Sequence, residues 1–323
     1  MSLAARADEP FYDLQEKIKT LHDSVWEHNA DWPLVQKWLQ QFGASEDSQS
    51  NDSLHALYLL SHFIYFGTTE IRGLLRSLYR DTFRPTVITQ LRRKIGGPLD
   101  RQVLRSAFED ELKSTRFVSL GNPSESSALL LYYFRQENDL SKELFANAAD
   151  LFDLRAVGSG GNVMLRDEKI RHYVFIDDLC GSGTQGKAYS EYIVDPIKRL
   201  NSDAKCYYYT LFGIVDGLDY IRSLQRFDVV SPVVEIDHTF KCFSPESRIF
   251  LGERAFFNRT DGQIAIYPFG ARIWPAHPLG FKDGQLLLGF AHNTPDNTLP
   301  IFWFSGTEHV PWVPVFQRYH KRY

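Results

Sequence analysis

Two adjacent carboxylates, Asp177 and Asp178, close the apolar run 173–176, and Gly181, Ser182, Gly183, Thr184 and Gln185 follow them. A strand that ends in two acids offers acceptors to a pair of neighbouring hydroxyls. A glycine-rich turn opening a helix near Gln185 offers backbone N–H groups, with the Ser182 and Thr184 hydroxyls, to a dianionic phosphate. Each contact of that kind with a helix dipole is worth roughly 0.3–1 kcal/mol, up to about 2 kcal/mol when partly buried. Gly181, Gly186 and Lys187 also satisfy the G-x4-G-K skeleton of a nucleoside-triphosphate loop. Position 188 is alanine, however, where such a loop needs a hydroxyl for Mg²⁺, and the acids precede the loop instead of lying on a later strand. Acids and loop together match a ribose 5-phosphate better than a triphosphate.

The stretch "VFIDDLCGSGT" resembles the phosphoribosyl pyrophosphate (PRPP) signature of type I phosphoribosyltransferases: four apolar residues, an acidic pair, two apolar residues and a small-residue loop. Cys180 at an aliphatic position, Gly181 and Gln185 depart from it without removing a phosphate donor. The resemblance implies ribose held by Asp177 and Asp178, phosphate held by Gly181–Gln185, and Mg²⁺ on the leaving pyrophosphate, reached by the two aspartates partly through water. It also implies a pyrophosphate loop upstream, where "VSLGNPSESSALLLYY" supplies Gly121, Asn122 and Ser124 ahead of a helix. A mobile loop is expected over 155–171, with Gly158, Gly160 and Gly161 for movement and Arg155, Arg166 and Lys169 as cations. An ordinary glycine-rich surface loop fits that stretch equally.

A second resemblance covers "PLGFKDGQLLLGFAHNTPDNTLPIFW" and, at the other end, "VQKWLQQF". Both are similar to divergent phosphoribosyltransferase-like proteins of bacterial conflict systems, some beside retrons, which implies an antiviral effector. His292, Asn293, Asp296 and Asn297 are then acceptor-side candidates, although Asn-Thr-Pro-Asp-Asn is also a good turn sequence. Asp237 and His238 could form an acid–base pair at a strand end or serve structure alone.

The elements that must position these residues fall into three stretches. Residues 1–112 read as a helical module. The apolar set of 54–64 recurs at three and four with Asp52 and Ser53 as caps, and Trp38, Leu39 and Phe42 lead into a stop at Gly43. From 113 the pattern alternates: strands near 116–121, 171–178, 205–215 and 227–237, with helices between them. That predicts an α/β fold with a mostly parallel sheet and flanking helices, its ligand at the carboxyl ends of the strands. Residues 241–323 read as mixed short strands, so the expected domains are 1–112 and 113–323.

Composition bounds the rest. With 323 residues, 43% hydrophobic, there is ample apolar surface for a core, and a net charge of −4 gives no whole-surface affinity for nucleic acid. A local patch is different: Arg72, Arg76 and Arg80 stack at spacing four, in a stretch with Asp81 as its one acid. That face is either solvated or docks nucleic acid or an acidic protein. Cys180, Cys206 and Cys242 are too few for a disulfide framework and fit a reducing, cytoplasmic setting. No run approaches the ~18 apolar residues of a membrane span. The resulting expectation is a phosphoribosyltransferase-like, glycosyl-transferring protein that uses Mg²⁺; the rival is a degenerate ligand sensor or a nucleic-acid- or protein-binding module.

Overall fold

The computed structural model describes residues 3–43, 50–120, 126–157, 160–251 and 256–318. Helices α1 (Leu3–Ser24), α2 (Trp32–Gln40) and α3 (Asn51–Leu60) lead to strand β1 (Ile64–Phe66) and helices α4 (Thr68–Ser77), α5 (Arg84–Lys94) and α6 (Arg101–Lys113). Next come β2 (Thr115–Ser119), α7 (Ser126–Glu137), β3 (Phe145–Ala146), β4 (Phe152–Val157), β5 (Gly160–Leu165) and β6 (His172–Cys180). The chain continues through α8 (Thr184–Tyr189), α9 (Asp195–Leu200), β7 (Lys205–Ile214), α10 (Val215–Ser223) and β8 (Val229–Ile236) to α11 (Arg259–Ile273) and β9 (Leu288–Phe290).

Two compact units result, Ile71–Ile236 and Met1–Glu70 with Asp237–Tyr323, a division unlike the boundary expected at 112. The first holds a five-stranded parallel sheet in the order β3-β2-β6-β7-β8. Its central strands are apolar on both sides because helices cover both faces. On one face Tyr173, Phe175, Cys206 and Tyr208 pack with Ile193, Val194, Ile197, Leu218 and Ile221. On the other, Phe83 lies edge-on to Phe117 and Tyr207, and Phe117 meets Phe134. Phe83 and Phe108, which are in contact, explain why the helices after 71 belong with the sheet.

In the second unit, β1 and β9 pair in parallel, so segments from the two ends of the sequence share one core. Trp38 and Trp312 both donate their indole N–H to the Ile301 carbonyl, at 2.8 Å, and Phe63 stacks on Phe316. Helix α3 is capped by Ser50, whose hydroxyl accepts from Ser53 N–H at 3.0 Å, not by Asp52 or Ser53. It stops at Leu60, ahead of β1, so the module is not wholly helical. Gly43 takes the left-handed conformation expected of a stop. After 241 the expected mixed strands give way to α11, with β9 the one strand among the described residues there. No described helix is long and apolar enough to cross a membrane.

A buried polar network ties α6 to β6. Glu111 accepts from His172 Nε2 at 2.5 Å and from Arg171 Nη2 at 3.0 Å, while His172 Nδ1 meets the Tyr207 hydroxyl at 3.0 Å. Burial alone would raise the Glu111 pKa, but the bonds from His172 and Arg171 outweigh it and hold the group below 4.5. Burial holds His172 below 6.5, against the pull of Glu111. Both depressed values act in the same direction. The unfolded chain binds more protons, so stability is lost as pH falls from 6.5 through the His172 value, and again below 4.5. Each tenfold change in proton affinity is worth about 1.4 kcal/mol. Urea midpoints followed from about pH 7.5 to about pH 5 should fall less steeply in His172→Gln, which keeps a donor but does not titrate. Equal slopes would contradict the assignment.

Candidate functional site

Strand β6 sits at the centre of its sheet and runs on to Cys180, two residues beyond the end expected near 178. Adjacent strand residues face opposite sides, so Asp177 and Asp178 are not equivalent. Asp177 lies on the face of Tyr208 and is only 6% exposed. Its Oδ2 accepts from the Tyr208 hydroxyl at 3.2 Å, and its Oδ1 from the Asp178 N–H at 3.0 Å. Burial first, and then the charge of Asp178, push the Asp177 carboxyl well above the usual range. Asp178 is half-buried, and its Oδ1 accepts from the Leu179 N–H at 2.8 Å. Cys180 is buried, with its thiol pushed up to about 12, so it stays a neutral filler.

The turn after β6 is the one the sequence singled out. Gly183 is left-handed (φ 74°), the helical run opens at Thr184, and Ser182 Oγ and Thr184 Oγ1 lie 3.0 Å apart. Helix α8 passes through a π-helical turn, Ser190–Val194, directly into α9, so the positive end of a long helical run faces Gly181–Gly183. Lys187, the lysine of the G-x4-G-K pattern, lies 3.9 Å from Glu191 along the helix.

The turn is pinned from behind by residues that the sequence reading did not select. A methyl placed on Gly217, in the first turn of α10, would lie 2.0 Å from the Gly181 carbonyl oxygen. One placed on Gly183 would lie 2.9 Å from the Gly217 carbonyl oxygen. Turn and helix therefore meet backbone to backbone. The signal was the pair Gly213 and Gly217, four apart just after an apolar strand. Tyr208, fully buried, gave none beyond its place in a strand.

The strand order reverses beside this turn. From β2 the chain moves outward to β3, whereas from β6 it moves the other way to β7, so the order reverses between β2 and β6. The crevice beyond the carboxyl ends at such a reversal is where open α/β sheets take ligands. Ser119 pairs with Ile176 there, and Leu120 N–H reaches the Ile176 carbonyl at 3.5 Å. The pyrophosphate-loop candidates Gly121, Asn122 and Ser124 fall in 121–125, outside the described residues.

Other expected site residues have structural partners. The stretch 155–171 contains β5 of an antiparallel hairpin with β4, not a plain loop. There Arg166 binds Asp153 and Asp150 at 3.0 and 3.2 Å, Lys169 is exposed, and the side chain of Arg155 lies outside the described residues. Arg72 and Arg76 converge on Glu137 at 2.6 and 3.6 Å, and Arg80 pairs with Asp81 inside a π-helical turn, Leu78–Phe83. In the second unit, Asn297 is buried and donates to the Phe281 carbonyl, and Asn293 Oδ1 caps the Thr294 N–H. His292 stacks on Phe290, and Asp296 pairs with Arg318 at 3.1 Å. Asp237 caps a short turn through Thr239 and lies 3.6 Å from Arg248.

The glycine turn and the two acids thus lie at the reversal point of a parallel α/β sheet. The chain belongs to the PRTase-CE family, whose sequence profile matches residues 35–318, and is a phosphoribosyltransferase-like protein. Among solved structures it is similar to a xanthine-guanine-hypoxanthine phosphoribosyltransferase of Helicobacter pylori (12% identity, 54% of this chain and 92% of that one, TM-score 0.24). It is also similar to a hypoxanthine phosphoribosyltransferase of Trypanosoma cruzi, a lysine-to-arginine mutant complexed with the product IMP (12%, 55% and 78%, TM-score 0.25). The AQ2163 protein of Aquifex aeolicus is a third (10%, 65% and 86%, TM-score 0.29). A comparison with curated proteins gives no match.

The backbone contact at Gly217 is testable. Gly217→Ala should cost about 1–3 kcal/mol, because the Gly181 carbonyl cannot yield without moving the turn. Gly73→Ala, in α4 with open space around it, should add about 0.5–1 kcal/mol. Chemical denaturation of both variants checks the pair; similar effects would refute the contact.

Proposed function

We propose that the protein binds PRPP, or another ribose 5-phosphate compound, at the carboxyl end of β6. The observation that carries this reading is the turn Gly181–Gly183, locked on Gly217 between the strand bearing Asp177 and Asp178 and the start of a long helical run. In this reading the 5-phosphate sits against the turn, Ser182 and Thr184. The ribose hydroxyls face Asp178, and the diphosphate lies toward the end of β2.

The two acids divide the work. Asp177, its carboxyl pushed upward by burial and by the charge of Asp178, is held by Tyr208 and fixes the strand end. Asp178 is the carboxylate suited to a ribose hydroxyl. It also suits a hydrated Mg²⁺, which favours one or two carboxylates plus phosphate oxygens. Bound with the substrate, that ion would supply charge neutralisation on the diphosphate. Transfer would break the bond from the anomeric carbon to diphosphate and form one to an acceptor, through an oxocarbenium-like state. The service of such a protein as a toxic antiviral effector rests on the sequence resemblance, and growth arrest on expression that Asp178→Asn relieves would support it.

Calorimetry with PRPP and Mg²⁺ should therefore give one site per chain. Asp178→Asn should weaken binding tenfold or more, about 1.4 kcal/mol. Asp177→Asn, which resembles the protonated acid, should weaken it less. Pyrophosphate released in the same samples would mark an active transferase, and binding without release would mark a ligand sensor. No binding by the wild type would refute the ligand assignment.

A further inference from the structure

The connection from α1 to α2 folds back on itself through residues that disfavour the conformation they adopt. Glu27, His28 and Ala30 all have left-handed φ angles, 49°, 61° and 62°. Such a turn is unusual for residues with a side chain. It is held by Trp26, fully buried, by Asn29 Nδ2 donating to the Trp26 carbonyl and the Tyr65 hydroxyl, and by His28 N–H donating to the His22 carbonyl at 3.2 Å. The consequence is that His28 returns over the last turn of α1, beside His22 and Asp23.

We infer that His22, Asp23 and His28 form a site for a zinc-class divalent transition-metal ion. One ligand atom from each lies within 4.8 Å of the others, the one such group of three among the described residues. His22 Nε2 and Asp23 Oδ1 are 3.9 Å apart, and the two imidazole centroids 5.5 Å. Around a tetrahedral ion with bonds of about 2.0–2.1 Å, ligand atoms sit about 3.4 Å apart. The Asp23 and His28 side chains are exposed, so their rotation is not blocked by core packing.

The hydrogen bonding of His22 favours the same conclusion. Its Nδ1 lies 2.9 Å from the Asn29 carbonyl oxygen, which can only accept, so Nδ1 carries the proton. The neutral ring then has its lone pair on Nε2, the atom turned toward Asp23. A backbone carbonyl on the far nitrogen is the outer partner that orients metal-bound histidines. Two imidazoles and one carboxylate suit Zn²⁺ or Co²⁺ and not Mg²⁺ or Ca²⁺, which take oxygen sets. Three protein ligands leave a fourth position to water, and the bound ion clips the turn to the helix end. This site is independent of the ribose-phosphate reading.

Tag-free full-length protein, stripped with a chelator, should bind one equivalent of Zn²⁺ by calorimetry. It should also develop the visible absorption of tetrahedral Co²⁺, and each metal should raise the melting temperature. Position 28 needs a residue that tolerates a left-handed φ, so His28→Asn is the informative variant, with Asp23→Asn as the second. Metal-free, both should melt close to the wild type. Their Zn²⁺ affinity should fall at least tenfold, and the metal-dependent rise in melting temperature should shrink with it. Absence of one-equivalent binding in the wild type, or affinity unchanged in both variants, would overturn the site.

Discussion

A carboxyl group at the end of a strand buried on both faces is the constraint around which the α/β unit is arranged. Asp177 cannot be hydrated where it stands, and taking a charge out of water without a full set of partners is costly. The structure answers with a raised pKa, a tyrosine hydroxyl and a backbone N–H. Tyr208 belongs to the neighbouring strand, so the contact also fixes β6 against β7. A few residues on, the chain turns where only glycine backbones can meet, and the turn inherits its position from that fixed strand end. The neighbouring acid, Asp178, is left half-buried, so its carboxylate remains accessible to a ligand.

Much of this was legible because a two-sided parallel sheet writes itself as continuous apolar runs. Four predicted strands correspond to β2, β6, β7 and β8, and "SSALLLYYFRQ" corresponds to α7. The acidic pair and the small-residue turn were legible for a chemical reason, since charge at the end of an apolar run and clustered glycines both need explanation. What supports them was not. Tyr208 reads as one more aromatic in a strand, and Gly217 as one more glycine in a helix. Their roles come from contacts between segments far apart in sequence.

Where the reading differed, glycine and polar residues misled it. Helix α11 contains Gly262, Pro268 and Gly270, which look like helix breakers. A methyl at Gly270 would lie 2.1 Å from the Pro278 carbonyl oxygen, so that glycine serves close packing. Gly160 and Gly161 suggested a loop where β5 pairs with β4. In and just after the His-Asn-Thr-Pro-Asp-Asn segment, Thr294 bonds the Gln317 carbonyl and Thr298 the Leu288 carbonyl, contacts that its polar sequence did not show. The division of the chain was hidden for a related reason: periodicity reports which face of a helix is buried, not which distant segment buries it.

The most direct test of the central claim is a crystal structure of the protein grown with PRPP and Mg²⁺. The account predicts the 5-phosphate within hydrogen-bond distance of the Ser182–Thr184 backbone and hydroxyls, with the ribose beside Asp178. A ligand bound elsewhere, with the turn at Gly181–Gly183 untouched, would contradict it.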